Sequence, residues 1–286
     1  MANLKNIRSQ IKSVTSIQKV TKAMKMVAAA KLRKSQENME KARPYSSRIK
    51  GLIAHLLNDI EKHNVPLLQT SENSTSHGFL VITADRGLAG SFNTNIIKQT
   101  ELIINKIDKD QAHLFCIGKK GYEYFKKNNY KVLNYYDDLW TNLNYNNAIQ
   151  IGSDISDEYN KQAFGTLTIV YNYFKNTASQ KIISETLLPL SFTKEEKSEI
   201  NDIIYEPSKI KIVESLIPKY FNTQIWQFLL ESFASEQAAR MLYMENATEN
   251  AKDMINELNL EFNKARQSAI TTEMLEIVGG AEALSN

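Results

Sequence analysis

This sequence contains few cysteines and histidines and has a low net charge. Each of these features argues against a class of site. The single cysteine, Cys116, excludes an internal disulfide framework and any metal site made of cysteines alone. The four histidines do not stand at metal-ligand spacing, and the HExxH pattern of zinc proteases is absent. A formal net charge of +3 on 286 residues does not by itself indicate a nucleic-acid-binding protein. No Ser/His/Asp or paired-carboxylate arrangement stands out as catalytic.

Glycine and proline are absent from residues 219–278, so this stretch is predicted to form one long helix. At 1.5 Å per residue it would extend roughly 90 Å, far longer than a helix of a globular domain, so a coiled coil, a helix with a membrane span or a shaft is expected. Glu and Lys recur every few residues, and this excludes a membrane span. Apolar residues at steps of three and four predict one covered face: Tyr243, Ala247, Ala251, Met254, Leu258, Phe262, Ala265 and Ala269.

Residues 3–43 carry a second helical pattern, which no glycine or proline interrupts before Pro44. Apolar residues again recur at steps of three and four: Leu4, Ile7, Ile11, Val14, Ile17, Thr21, Met24 and Ala28. A helical apolar pattern resumes over residues 49–60. We therefore expect Pro44 to kink this helix rather than to end it.

The two predicted helices carry opposite charge. Residues 1–43 contain eleven basic and two acidic residues, whereas residues 219–286 contain five basic and ten acidic residues. Opposite charge beside two apolar stripes predicts that the helices pair with each other, and a domain between them makes the pairing antiparallel. The stripes average about 3.4 and about 3.7 residues per step, which predicts an irregular coiled coil because a uniform left-handed supercoil needs 3.5.

The C-terminal helix is predicted to be longer than its partner, so its end should extend past the pair. This overhang, residues 263–281, contains Arg266, Gln267, Thr271 and Thr272 as hydrogen-bonding groups. Its last turns are apolar: Met274, Leu275, Ile277 and Val278. An apolar helix end without a partner in its own chain is expected to enter a cavity of another protein.

Between the two helical ends, short apolar runs of strand type alternate with helical patterns. The predicted strands cover residues 78–83, 113–117, 130–135, 167–174 and 180–187, and the predicted helices cover residues 93–107, about 119–127 and 148–164. The alternation predicts a small α/β domain over residues 78–207, and the short link between the last two strands predicts a hairpin.

Two turns that contain glycine, residues 85–90 and 118–121, each lie between a predicted strand and a predicted helix. This is the geometry in which backbone N–H groups can hold phosphate. Neither turn has the GxxxxGK[ST] or GxGxxG pattern, so an ordinary turn before a helix is favoured over phosphate binding. Cys116 lies in an apolar strand and is predicted to be a buried, unreactive thiol.

Several segments closely resemble the gamma chains of F-type ATP synthases. At the C-terminal end these are residues 263–281 and the segment ASEQAARM, residues 234–241. At the N-terminal end they are Ile7-Arg8, the segment TKAMKMVAA over residues 21–29, and Lys31. In the middle they are residues 85–88 with Asn93, residues 117–121 and residues 187–190. The resemblance covers the whole chain in the same order.

The resemblance implies a mixed α/β fold with a long antiparallel coiled coil. Residues 1–60 and 209–286 would form a shaft, and a small Rossmann-like α/β domain over residues 78–207 would form a foot. The shaft is expected to occupy a ring of alternating alpha and beta subunits, and the foot to rest, with the epsilon subunit, on the proteolipid ring in the membrane. Proton flow would turn the ring and the shaft, and so drive ATP synthesis on the beta subunits. The chain itself would be a non-catalytic rotor without a cofactor or metal.

Partner contacts carry over from the resemblance residue by residue. Arg266 and Gln267 match positions that hydrogen-bond a loop of a beta subunit, and Thr271 lies beside them in the sequence. Met24 matches a position near an acidic hinge region of the beta subunits, where its neighbour Lys25 adds charge.

Tyr205 and Glu206 match a foot position near the epsilon subunit and the proteolipid ring.

The start MANLKNIRSQ has neither the apolar segment of a secretory signal nor an evident transit peptide. We therefore expect a bacterial source and a peripheral position on the cytoplasmic face of the inner membrane. Contact with the membrane would be indirect, through the proteolipid ring, and no nucleic acid is expected as a partner.

The alternative function is a soluble α/β nucleotide-binding protein with a coiled-coil oligomerisation arm. The missing Walker, Rossmann and catalytic signatures weigh against it. A weaker alternative is a basic coiled-coil nucleic-acid binder, whose affinity would fall steeply with salt.

Overall fold

The structure is a computed structural model, and it describes residues 2–57, 65–69, 75–177, 180–192, 206 and 208–285. The helices are α1 (Ala2–Leu56), α2 (Phe92–Ile104), α3 (Lys119–Lys127), α4 (Tyr145–Asn160) and α5 (Lys209–Ser285). The strands are β1 (His77–Ile82), β2 (Ala112–Ile117), β3 (Lys131–Tyr136), β4 (Thr166–Phe174) and β5 (Gln180–Leu188). The fold is therefore mixed α/β with long terminal helices, as predicted.

The chain divides into two compact units. The smaller unit combines Met1–Ala28 with Met241–Asn286, and the larger unit is Ala29–Arg240. Each unit contains part of α1 and part of α5. The two units are therefore described separately.

A single five-stranded sheet organises the larger unit, in the order β3-β2-β1-β4-β5. The strands β1 to β4 are parallel, whereas β5 runs antiparallel to β4 and forms the predicted hairpin with it. β1 lies at the centre, where Val81 is level with Cys116 of β2 and Val170 of β4. The central strands are buried on both faces, which explains why they appear in the sequence as continuous apolar runs.

Helices cover both faces of this sheet. On one face, Leu80 and Ile82 pack in a cluster with residues of α1, α4 and α5, including Ile53, Ile151 and Phe221. On the other face, Phe79 and Val81 pack in a cluster with residues of α2 and α3, including Ile96 and Phe125. Successive residues of β1 thus supply alternate faces, as the pleat of a strand requires.

Within the larger unit, α1 and α5 run antiparallel and exchange polar contacts. Ser35 Oγ donates to the carbonyl of Leu230 at 3.0 Å, and Ser46 lies within hydrogen-bonding distance of Gln224 and Gln227. Small side chains of α5 are buried in this region: Ser232, Ala234, Ser235, Ala238 and Ala239. Small residues let the helix lie close to its neighbours.

Within the smaller unit, α1 and α5 also pair antiparallel, because Lys25 contacts Glu245 while Thr21 contacts Thr248. Covered positions on α1 recur every seven residues: Ile7, Val14, Thr21 and Ala28. Covered positions on α5 recur at the same interval: Met244, Ala251, Leu258 and Ala265. The predicted mismatch in period is therefore wrong, since both helices follow the seven-residue repeat of a coiled coil.

Three residues of the predicted stripes lie on the exposed side instead: Ile17, Tyr243 and Met254. In each case the next residue in the sequence is better covered: Gln18, Met244 and Ile255. The apolar character of a side chain misled the prediction at these positions. The regular seven-residue interval decides which side faces the partner helix.

The predicted strands agree with the structure to within two residues at each end, and the long helices continue through their prolines. α1 passes Pro44 without ending, and α5 begins ten residues before the proline-free stretch and passes Pro218. A proline inside a helix costs about 3 kcal/mol. Burial of Val213, Ile217 and Phe221 on either side of Pro218 offsets this cost.

No helix in the described part of the chain is both long enough and apolar enough to cross a bilayer. This agrees with the charges that recur along the C-terminal sequence.

Candidate functional site

Met24 and Lys25, two of the predicted partner contacts, lie on α1 beside α5 in the smaller unit. Both side chains are half-buried. Lys25 Nζ lies 2.5 Å from Glu245 Oε1, and the Oγ1 atoms of Thr21 and Thr248 lie 2.8 Å apart one turn away. Lys25 therefore already has an acidic neighbour within its own chain. A partner that binds Lys25 must share this lysine with Glu245.

The second group of predicted contacts lies farther along α5. Arg266, Gln267 and Thr271 are exposed, and Thr271 Oγ1 donates to the carbonyl of Gln267 at 2.9 Å. About twenty residues of helix separate this group from Glu245, which corresponds to roughly 30 Å along the axis. The structure therefore does not bring the two groups together: they are two separate patches on the same helix pair.

The end of α5 is uncovered, as predicted for an overhang. Every described side chain from residue 270 to residue 281 is exposed, including four large apolar residues: Met274, Leu275, Ile277 and Val278. The uncovered run begins seven residues later than predicted, because Ala265 and Ala269 are still half-covered. This is the longest unbroken run of exposed residues among the described helices.

A groove between the two helices was not foreseen from the sequence. It encloses about 500 Å³ and is lined mainly by charged side chains, including Lys19, Lys22, Lys25, Lys252, Glu245 and Glu249. A signal was available, because the first 28 residues contain six basic residues and no acidic residue. The groove makes this part of the helix pair suited to an acidic partner.

α1 also carries apolar side chains that α5 does not cover. More than half of the surface of each is exposed: Ile17, Val20, Met26 and Val27. Uncovered apolar residues on both helices indicate that this pair has a further binding partner.

The foot contacts are less well defined. Glu206 is exposed and lies outside the helices and strands. Tyr205 lies outside the described residues, so its predicted contact stays a prediction.

The two glycine turns meet at the carboxyl edge of the sheet, in the larger unit. Gly118 has a φ of +87°, and a Cβ there would lie 2.1 Å from the carbonyl oxygen of Thr83. The first amides of α3 are all engaged: Lys119 N donates to Asp85 Oδ1 at 2.9 Å, Lys120 N to Ala84 O at 3.1 Å, and Gly121 N to Thr83 Oγ1 at 2.9 Å. These amides are therefore not available to hold a phosphate, and an ordinary turn is the better interpretation.

Residues 83–90 form what we call the edge loop, and neighbouring elements hold it at several points. The Ala84 amide donates to Asn93 Oδ1 at 2.8 Å, and Trp140 Nε1 donates to Thr83 O at 3.0 Å. Arg240 of α5 donates through Nη2 to Gly87 O at 3.1 Å. Sequence analysis missed Arg240 as a contact because its acceptor is a backbone carbonyl 153 residues away.

A buried carboxyl group, Glu236, lies near the edge loop, and a half-buried one, Asp85, lies within it. Burial raises the pKa of Glu236 to about 7, although neighbouring Arg240 and Lys31 act in the opposite direction. Burial also raises the pKa of Asp85, which Asp138 and Asp137 raise further. Groups of three or more His, Cys, Asp or Glu side chains with metal-site geometry do not occur among the described residues.

Cys116 is fully buried in β2, and burial raises the pKa of its thiol to about 12. The prediction that this thiol is buried is therefore confirmed, and the raised pKa agrees with its predicted low reactivity.

The sequence profile of the ATP synthase family matches residues 3–284. The chain is 44% identical over 290 residues to the ATP synthase gamma chain of Prosthecochloris aestuarii, covering 99% of both chains. It is 44% identical over 296 residues to that of Chlorobium luteolum, covering both chains completely.

Chains of solved ATP synthase structures have a similar fold. One match is a chain from the central stalk and c-ring of the Tetrahymena thermophila mitochondrial ATP synthase, with a TM-score of 0.60 and 25% identity over 80% of this chain and 99% of that chain. Another is a chain of the Euglena gracilis mitochondrial ATP synthase, with a TM-score of 0.68 and 21% identity over 99% and 95% of the two chains, which supports the fold. The chain belongs to the ATP synthase gamma chain family.

Proposed function

We propose that this chain is the central rotor stalk of a proton-translocating F-type ATP synthase. As a gamma chain it is a subunit of that complex and associates with other ATP synthase subunits. It couples proton flow through the membrane sector to ATP synthesis or hydrolysis by rotating inside the ring of alpha and beta subunits. The single observation that carries this proposal is the uncovered end of α5, with its four exposed apolar side chains.

The uncovered end is suited to a cavity formed by other subunits. Met274, Leu275, Ile277 and Val278 are each more than 60% exposed. Burying side chains of this size contributes roughly 1.5–3 kcal/mol each. Binding to a partner that encloses the end of α5 is stabilised by this burial, and a ring with a central cavity is such a partner.

Two patches on the helix pair are proposed to contact the beta subunits. Arg266 and Gln267, with Thr271 one turn further, offer exposed donors for a loop of one beta subunit. Met24 and Lys25 form the second patch, which meets an acidic region of a beta subunit; Lys25 also lines the groove between the helices. The separation of the patches along α5 means that they engage different parts of the ring.

The foot is proposed to comprise the α/β domain over residues 78–207, between helical segments 1–60 and 209–286 that form the shaft. Tyr205 and Glu206 are its proposed contacts with the epsilon subunit and the proteolipid ring. The chain would then lie at the cytoplasmic face of the bacterial inner membrane as a peripheral subunit. Its contact with the membrane is through the proteolipid ring.

The chain is proposed to perform no chemistry of its own. The two helices differ in charge and in their exposed side chains, and the groove lies on one side of the pair. Each rotational position of the shaft therefore presents a different surface to each beta subunit. Rotation then changes the relative free energies of the beta subunit conformations, which is differential binding applied by a mechanical movement. The catalytic groups belong to the beta subunits.

The decisive experiment is reconstitution. ATP hydrolysis is measured with alpha and beta subunits alone, with this chain added, and with this chain alone. We expect the chain alone to be inactive and to yield a stable, more active complex with alpha and beta. ATP hydrolysis or tight nucleotide binding by the chain alone, without assembly, would instead support the α/β nucleotide-binding protein.

A further inference from the structure

A glutamate of α5 is buried where this helix meets the hairpin of β4 and β5. Glu231 is only 5% exposed, and its Oε2 atom is buried without a hydrogen-bond partner among the described residues. Phe228 lies three residues earlier on the same face of α5, and its ring packs on Tyr171 of β4 with centroids 4.8 Å apart. A buried oxygen without a partner costs free energy, and the cost is larger if the carboxyl group is charged. The protonation state of Glu231 therefore matters for this contact.

One phenolic hydroxyl lies between two carboxyl groups at this contact. The Tyr171 hydroxyl donates to Glu185 Oε1 of β5 at 3.4 Å, and it is also a hydrogen-bond partner of Glu231. The side chains of Tyr171 and Glu185 lie on one face of the hairpin, because Glu185 is level with Ile169, two residues before Tyr171. A hydroxyl group has a single proton, so it can donate to only one of two carboxylates. The other carboxyl group needs a proton of its own to form a hydrogen bond with the tyrosine.

The position of one proton decides whether these three groups form a continuous chain of hydrogen bonds. A protonated Glu231 donates to the Tyr171 oxygen while Tyr171 donates to the Glu185 carboxylate, and this links α5 to β5 through β4. When Glu231 is ionised, two carboxylates compete for one hydroxyl proton and repel each other, so the link is lost.

Charged and polar groups from four elements face Glu231: Arg43 of α1, Tyr171 of β4, Glu185 of β5 and Gln227 of α5 itself. Burial raises the pKa of Glu231 to about 7, and Glu185 acts in the same direction. Arg43 and the hydrogen bonds of Gln227 and Tyr171 favour the ionised form, but they do not outweigh burial. Both protonation states are therefore populated near neutral pH.

We propose that Glu231 is a pH-sensitive contact between α5 and the hairpin: its protonated form holds β5 through Tyr171 and Glu185, and its ionised form releases β5. β5 is an edge strand that pairs only with β4, so the loss of a contact on its face loosens this strand more than the central strands. The contact lies within the larger unit of the chain, and it does not depend on the proposed rotor function.

Hydrogen–deuterium exchange of the full chain, followed by mass spectrometry, measures how firmly β5 is held. Exchange rates are compared at about pH 6 and about pH 8, after correction for the intrinsic pH dependence of exchange. We expect the protection of the β5 amides to fall about tenfold more than that of the β1 amides, since one hydrogen-bonded link is lost. β1 is the internal reference, because exchange at the centre of the sheet reports opening of the whole sheet. An equal fall in β1 and β5 would overturn the proposal.

Two variants test the assigned groups, and a third is the control. Glu231→Gln carries an N–H donor at every pH, so β5 should stay protected at both pH values. Tyr171→Phe keeps the ring but removes the hydroxyl, so β5 should already exchange faster at about pH 6 and change little further at about pH 8. Glu236→Gln is the matched control: it replaces another buried glutamate of α5 whose pKa is also raised to about 7, and the pH response of β5 should remain. A full pH response of β5 in Glu231→Gln or in Tyr171→Phe, or its loss in Glu236→Gln, would contradict the assignment and overturn the proposal.

Discussion

Lys25 and Glu245 form an ion pair across the two helices of the smaller unit, with Nζ and Oε1 2.5 Å apart and side chains 36% and 47% exposed. Ion pairs this exposed contribute up to about 1 kcal/mol. Lys25→Ala should therefore lower the free energy of unfolding by less than about 1 kcal/mol, measured by urea denaturation. A loss of ATP-driven rotation in the same variant that this small change in stability does not explain would come from the missing partner contact. Glu245→Ala is the control, because it breaks the same ion pair. If Lys25→Ala and Glu245→Ala lower the rate of rotation equally, Lys25 is not a partner contact.

Arg266→Ala and Gln267→Ala should impair coupling without unfolding the chain. Both side chains are exposed, so the free energy of unfolding should change by less than about 0.5 kcal/mol. ATP hydrolysis and proton pumping by the reconstituted complex should fall, whereas the neighbouring control Lys264→Ala should retain both. Normal assembly and turnover in the two variants would exclude these residues as partner contacts.

The stability of the chain should fall between pH 4.5 and pH 7. Burial raises the pKa of Glu231 from an ordinary value of 4.5 to about 7; Glu185 acts in the same direction, while Arg43 and hydrogen bonds from Gln227 and Tyr171 oppose it. In this window the folded chain keeps the proton and the unfolded chain releases it, so the free energy of unfolding falls as the pH rises, by up to about 3 kcal/mol.

Glu231→Gln removes this titration and should flatten the pH dependence. The variant should be more stable than the unmodified chain at pH 8 and similar to it at pH 4.5. Denaturant unfolding at both values measures the difference. The residual slope should come partly from Glu236, whose pKa is also raised to about 7 by burial. Equal slopes in the variant and the unmodified chain would contradict this assignment.

Gly118→Ala should destabilise the larger unit by about 3 kcal/mol or more, since the new Cβ would meet a backbone carbonyl in a left-handed region. The predicted clash is with Thr83 O at 2.1 Å. Gly87→Ala is the matched control, because nothing lies within 4 Å of a Cβ there. Thermal unfolding followed by circular dichroism compares them. Similar melting temperatures for the two variants would show that the backbone at Gly118 adapts.

The isolated chain should self-associate through the uncovered end of α5. Leu275→Ser with Ile277→Ser should shift the chain toward monomer in analytical ultracentrifugation, because it removes exposed apolar surface. Leu102→Ser is the control, since this leucine of α2 is equally exposed but stands outside that segment. A monodisperse monomer of the unmodified chain would contradict the prediction.

The sheet could be predicted from the sequence because its strands are short apolar runs between glycine and polar turns. Phe79–Ile82 and Leu114–Ile117 are buried on both faces, so hydrophobicity alone marks them. The start of α5 could not be predicted in the same way. Pro218 argues against a helix locally, and only packing on the sheet explains why the helix continues through it.

The uncovered helix end could be predicted from the length of the helical pattern, whereas contacts between residues far apart in the sequence could not. Arg266 and Gln267 are exposed, and their partner contacts stay predictions from the resemblance. The contact of Arg240 with Gly87 joins residues far apart in the sequence. The occupation of the α3 amides by Thr83, Ala84 and Asp85 likewise needs the folded sheet. No local pattern encodes either arrangement.

The core beneath the sheet is assembled from both ends of the chain. Ile53 of α1 and Phe221 and Leu229 of α5 belong to the same buried cluster as Leu80 and Ile169 of the sheet. During synthesis, β1 to β5 therefore leave the ribosome with one face covered only by α1 and α4, and that face closes fully only when residues up to about 229 have emerged. Domains commonly fold as they are synthesised, but this one must wait for most of its own length, and a chaperone has an apolar surface to bind until then.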